Sequence, residues 1–170
     1  MRTALSLLLL TSAASALTTA QGTDVAHKFT DAMTETLASG SMAKMSEELF
    51  ADEVEWSWAG GQAGKGPKAD LVKEFAGSWG AMVSAFLPAT HYMVVTDTAA
   101  RKITLAFDVT ININGRGKAP DCFVPLPNVW ALTVDDDLKM KKWEGTWDSQ
   151  DAKMMSCMGK VAAASGQSEL

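Results

Sequence analysis

Lys102-Ile103-Thr104-Leu105-Ala106-Phe107-Asp108-Val109-Thr110-Ile111-Asn112-Ile113-Asn114 alternates from end to end. Ile103, Leu105, Phe107, Val109, Ile111 and Ile113 share one side. Lys102, Thr104, Ala106, Asp108, Thr110 and Asn112 share the other. Successive side chains of a strand point to opposite faces, so this stretch is a strand with one buried face and one wet one. Such a strand needs neighbours, and period-two segments flank it. Residues 86–96 form one before a turn at 97–100. Residues 115–121 turn, 123–134 return, Asp135-Asp136-Asp137 turn again, and 138–148 close the sheet. Upstream, residues 53–59 alternate too, with Val54, Trp56 and Trp58 on the apolar side.

The segments before this run keep a different period. Val25, Phe29, Met33 and Leu37 recur every four residues, which gives a helix over 23–39 with one apolar face. Gly40 stands where a left-handed cap belongs. Ser41 then caps a short helix through Phe50, with Met42, Met45 and Leu49 inward. Pro67 opens a third helix, whose stripe is Leu71, Val72, Phe75, Trp79, Met82 and Val83. The glycine-rich stretch 60–66 reads as a loop. It is no phosphate loop, because Ala59 stands where the first glycine is needed and Gly66 where Ser or Thr must hold the metal. Residues 149–164 read as a helical tail.

At 170 residues the chain suits one domain. Hydrophobic residues make up 47% and charged residues 21%, a balance that supports a buried core. The net charge of −5 argues against a nucleic-acid partner and against docking on anionic membranes. Arg2, the apolar run 4–10 and the small residues after it form a cleavable export signal over 1–20, too short to span a bilayer. Ala14-Ser15-Ala16 and Thr18-Thr19-Ala20 both fit the cleavage pattern. The domain proper is expected over 23–148 and a partly helical tail over 149–170. The destination is the exterior or the secretory-pathway lumen, with a plastid a minor alternative. Export brings an oxidising environment, in which Cys122 and Cys157 either form one disulfide or stay as two half-buried thiols. Two histidines and two cysteines show no metal-ligand spacing, and no cofactor is expected.

Three helices followed by long antiparallel strands is the order of an α+β roll. Phe50-Ala51-Asp52-Glu53-Val54-Glu55-Trp56, the glycine loop and residues 69–75 together resemble the first half of the nuclear transport factor 2-like superfamily. Residues 129–148, with an acidic turn and a last aromatic before Asp148, are similar to its closing hairpin. Within the superfamily the chain looks most like the SnoaL-like group, which includes polyketide cyclases, and its ketosteroid-isomerase relatives. The resemblance implies three N-terminal helices packed on a curved antiparallel sheet around a cone-shaped pocket, and dimers through the open face of the sheet. Catalytic members keep a carboxylate at the end of the first strand and a second acid on the penultimate strand. Those places fall at Trp58 and Trp130. An indole transfers no proton near neutral pH and only donates a hydrogen bond.

The candidate site residues follow. Trp56, Trp58, Trp130, Trp143 and Trp147 have the inward parity of their strands, and Trp79 sits on the apolar face of the third helix. With Phe107 they would line a pocket for a small hydrophobic or aromatic ligand, or else fill the cone as core. The rival is a cyclase, isomerase or dehydratase using His91 with a carboxylate, Asp108 or Asp148. Register decides His91: a three-residue turn pairs it with Phe107, a two-residue turn with Ala106. Asp108 lies on the polar side of its strand, which favours solvent.

Overall fold

The computed structural model describes residues 16–166, the side chains of 89–92 excepted. The first fifteen residues of the export segment expected over 1–20 thus lie outside the described residues. Helix α1 (Thr19–Ser39) starts earlier than its apolar period suggests. A capping box explains it: the Thr18 hydroxyl accepts from the Gln21 backbone at 3.2 Å, and the Gln21 side chain accepts from the Thr18 backbone at 2.9 Å. The helix stops at Gly40, whose φ of 77° suits glycine. A Cβ there would also fall 2.4 Å from Cζ of Arg116. That guanidinium donates to the carbonyls of Leu37 (2.7 Å), Ala38 (3.1 Å), Gly80 (2.5 Å) and Val83 (3.0 Å). One side chain therefore ties the end of α1 to the start of the sheet.

Helix α2 (Ala43–Leu49) has Met42 at its N-cap with no side-chain cap bond, one residue after the Ser41 cap expected from the sequence. Strand β1 (Phe50–Trp58) follows directly. The glycine-rich stretch is not all loop, since β2 (Ala63–Pro67) pairs antiparallel with β1. Glycine is needed there for space, because a Cβ on Gly64 would lie 2.3 Å from Cζ2 of Trp56. The third helix breaks at Ser78 into α3 (Lys68–Gly77) and α4 (Trp79–Met82). The Ser78 hydroxyl bonds the Glu74 carbonyl at 2.8 Å, and Val83 already belongs to β3 (Val83–Asp97). Strands β4 (Lys102–Ile113), β5 (Phe123–Val134) and β6 (Met140–Trp147) and helix α5 (Ala152–Ala164) complete the chain.

The protein is α+β, with helices packed on an open six-stranded sheet of order β2-β1-β6-β5-β4-β3. The sheet is mixed rather than purely antiparallel. Strand β1 runs parallel to β6, so the first and last long strands meet across a connection that spans most of the domain. Strand β4 alternates as expected, Ile103, Leu105, Phe107, Val109 and Ile111 all being buried. Pro125 and Pro127 lie on β5, a strand with neighbours on both sides. Pairing with β6 begins only at Asn128, so both prolines occupy the part of β5 that has β4 alone beside it.

The tail helix is held by a Cys122–Cys157 disulfide, which settles the choice left open by the two cysteines. Beside it, the side chains of Asn112 and Asn114 both donate to Asp121 at 2.8 Å. These two amides, Asn112 first, hold the Asp121 carboxyl below its usual range. Asn112 also accepts from the Cys122 backbone at 2.9 Å. That network explains why Asn112, on the polar parity of β4, is nonetheless buried.

Candidate functional site

Four of the six tryptophans belong to strands β5, β6 and the end of β1, where register sets them side by side. Trp58 and Trp130 both stand opposite Gly145 of β6, one from each flank. Gly145 is buried, and the nearest group to a Cβ there would be Cζ3 of Trp147 at 3.0 Å. A Cβ there would lie 3.4 Å from Cδ1 of Trp58 and 3.5 Å from Cδ1 of Trp130. Trp143, one inward position earlier on β6, meets Trp58 edge-on at 5.1 Å between centroids and Trp130 at 5.7 Å. Phe29 of α1 closes the cluster from the helix side, at 5.1 Å from Trp130 and 5.2 Å from Trp143. Phe86 stacks on Trp130 at 5.7 Å.

Between these rings lies a cavity of about 40 Å³. Its walls include Met33, Phe75, Trp58, Trp130 and Trp143, with Trp79 and Trp147 completing the aromatic lining. The last two are only half-buried and form an edge-to-face pair at 5.1 Å. A ligand pocket has a volume of roughly 300 Å³ or more. The rings therefore fill most of the space between helices and sheet in this conformation, and Trp79 and Trp147 are the two lining residues that are only partly buried.

Two expected lining residues stand elsewhere. Trp56 is buried under Gly64, and its indole donates to Glu74 at 3.0 Å, so it does not bound the cavity. Phe107 packs edge-on against Trp130 at 4.7 Å, behind the lining rather than in it. Asn128 is a polar wall that the strand pattern hid. It pairs with Trp147, is buried, and donates to the Leu126 carbonyl at 3.0 Å.

No protein-family model matches the sequence, and no curated protein matches it either. Solved structures do match in three dimensions. The BvnE pinacolase from Penicillium brevicompactum superposes with a TM-score of 0.64 at 15% identity, over 85% of this chain and 93% of that one. An NTF2-like protein from Anabaena variabilis gives 0.61 at 13%, over 79% and 95%. A protein assigned as a SnoaL-like polyketide cyclase, from Jannaschia, gives 0.56 at 11%, over 85% and 93%. The chain has the nuclear transport factor 2-like fold. Proteins assigned as a SnoaL-like polyketide cyclase and as an isomerase share this fold.

On this nuclear transport factor 2-like frame neither carboxylate candidate, Asp108 or Asp148, lines the cavity. The turn between β3 and β4 is longer than either spacing considered, for Asp97 pairs with Lys102. Tyr92 then faces Phe107, and 89–91 form a bulge opposite Asp108. His91 lies in that bulge, and its side chain falls outside the described residues. Asp108 is exposed on the outer face, opposite Pro127, as its strand parity dictates; it is no cavity carboxylate. Asp148 is exposed and accepts from the Gln150 backbone at 2.9 Å. Glu144 is drawn to Lys102 and Lys142, at 3.5 and 3.3 Å, along the outer rows. Among the described residues no cluster of His, Cys, Asp and Glu could hold a metal ion.

Proposed function

We propose that this domain binds a small hydrophobic or aromatic molecule among its tryptophans, entered past Trp79 and Trp147. The carrying observation is the lining: apolar side chains and indoles with Asn128 as its one polar side chain, and no carboxylate or cation among the described residues. Solved neighbours of like fold are named as a pinacolase and as a polyketide cyclase, which supports a small-molecule role for the fold. Entry requires the rim pair to part. One edge-to-face contact is worth about 1 kcal/mol, and Trp79 rides on a four-residue helix beyond the Ser78 break, so the opening is cheap. Titration with steroid-like, polyketide and carotenoid-type compounds should quench tryptophan fluorescence and raise the melting temperature. At a hundredfold excess over Kd the gain is about 2.7 kcal/mol. A panel giving neither quenching nor a shift in melting temperature sinks the proposal.

Export is part of the same proposal. Leu17 is buried and Thr18 caps α1, so cleavage after Ala16 leaves the fold whole while cleavage after Ala20 removes its first cap. Among the described residues no helix is long and apolar enough to cross a membrane.

The outer face of the sheet favours a second copy of the chain as a partner. Met93, Ala106 and Val129 stand in register across three strands, with Leu87 and Val95 also outward on β3. Met93 is 60% exposed and Val129 46%, an apolar strip on an otherwise wet face. Sedimentation at micromolar concentration should show a dimer that Met93→Glu with Val129→Glu dissociates. A monomer before substitution removes this interface.

A further inference from the structure

We infer that the pocket proposed above, on which this step rests, selects apolar ligands carrying a neutral oxygen acceptor, a ketone, lactone or ether, held by indole N–H groups. Trp58, Trp130 and Trp143 are 5%, 3% and 3% exposed, and all three bound the cavity. The Nε1 donor of each is fully buried and has no acceptor among the described residues. A buried donor left unpaired costs about 1–3 kcal/mol, and native folds rarely tolerate one without a reason. Three in one ring cluster is a demand for an acceptor from outside the chain. Trp56 supplies the contrast, because the same side chain one inward position away is satisfied by Glu74 at 3.0 Å.

The geometry brings two of the donors together. Cδ1 of Trp58 and Cδ1 of Trp130 both approach the space over Gly145, and Cδ1 is bonded to Nε1. Those edges of the two indoles therefore flank the same glycine from either side of β6, with Trp143 in ring contact with both. An indole donates and accepts nothing, so the cluster suits a group that only accepts. A carboxylate also accepts, but no cation lines the cavity, and an unpaired anion buried there loses its hydration without return. A neutral carbonyl or ether oxygen at the leading end of an apolar body meets both conditions.

Three probes of nearly one shape test this: indane, 1-indanone and indane-1-carboxylate, each titrated into the intact disulfide-bonded domain. Binding is read by fluorescence, and the six indole N–H resonances by nitrogen–proton correlation spectra. The expected result is that 1-indanone binds at least tenfold tighter than indane and than the carboxylate. It should move the indole resonances of Trp58, Trp130 and Trp143 downfield, while indane leaves their hydrogen bonding unchanged. Trp58→Phe and Trp130→Phe, which keep a ring and remove the donor, should each erase most of the ketone preference and assign the resonances. Should either variant fail to fold, the affinity ratio and the spectra of the unsubstituted protein still decide. If indane or the carboxylate binds as well as 1-indanone, the acceptor selectivity is wrong and the pocket stands. If none of the three binds, both fall together.

Discussion

Replacing Trp130 by alanine should lower the unfolding free energy by about 4 kcal/mol, the range for removing a large aromatic from a packed core. Trp130 touches four rings: Phe107 at 4.7 Å, Phe29 at 5.1 Å, and Phe86 and Trp143 at 5.7 Å each. It joins β5 to α1, β3, β4 and β6, so its loss leaves a void that no single neighbour can close. Trp79 is the control. It is half-buried, and the one aromatic contact described for it is with Trp147, so Trp79→Ala should cost only about 1 kcal/mol. Chemical denaturation of the three proteins measures both. A loss below about 1 kcal/mol at Trp130 would mean that the rings are loose pocket walls rather than the core.

Opening the Cys122–Cys157 bridge should cost nearly as much. The two cysteines are 35 residues apart in sequence, and a loop of that length is worth about 4 kcal/mol in the chain-entropy model. The effect should be local as well. Helix α5 rests on the sheet through a short apolar contact that includes Met154 and the fully buried Cys157. After reduction, or in the double substitution Cys122→Ser with Cys157→Ser, amide exchange over 152–164 should rise toward that of a free helix. Strands β4 and β5 should keep their protection, because their ladders run from Lys102 to Asn112 without a break. Unchanged melting on reduction would show that packing alone holds the tail.

Much of the fold was legible because the strongest signal, strict alternation over 102–114, is a local property of the chain. Burial of one face forces it, and the register found for β4 and β5 preserves it residue by residue. The same logic placed Trp58, Trp130 and Trp143 inside. It failed where a distant partner decides. The parallel contact of β1 with β6 joins segments about eighty residues apart, and nothing in either segment announces it. Residues 63–67 lack strand formers, yet they pair with β1 in a register that sets Gly64 against the Trp56 indole. The bulge before Tyr92 moved His91 away from both pairings considered, since a strand's parity survives only as long as its register does.

The candidate site divides along the same line. By itself the sequence determined that the interior holds several indoles, that acids are absent from Trp58 and Trp130, and that Asp108 faces solvent. These follow from residue type and parity, which are counted along one strand. Whether the rings fill the cone or line it is a question of volume, and volumes add only when every wall is in place. So is the fate of each N–H: Trp56 found Glu74, eighteen residues on, while Trp58, Trp130 and Trp143 found no acceptor among the described residues. Tertiary structure alone decided that, because a hydrogen bond needs its partner within about 3 Å and the chain sets no such distance until it folds.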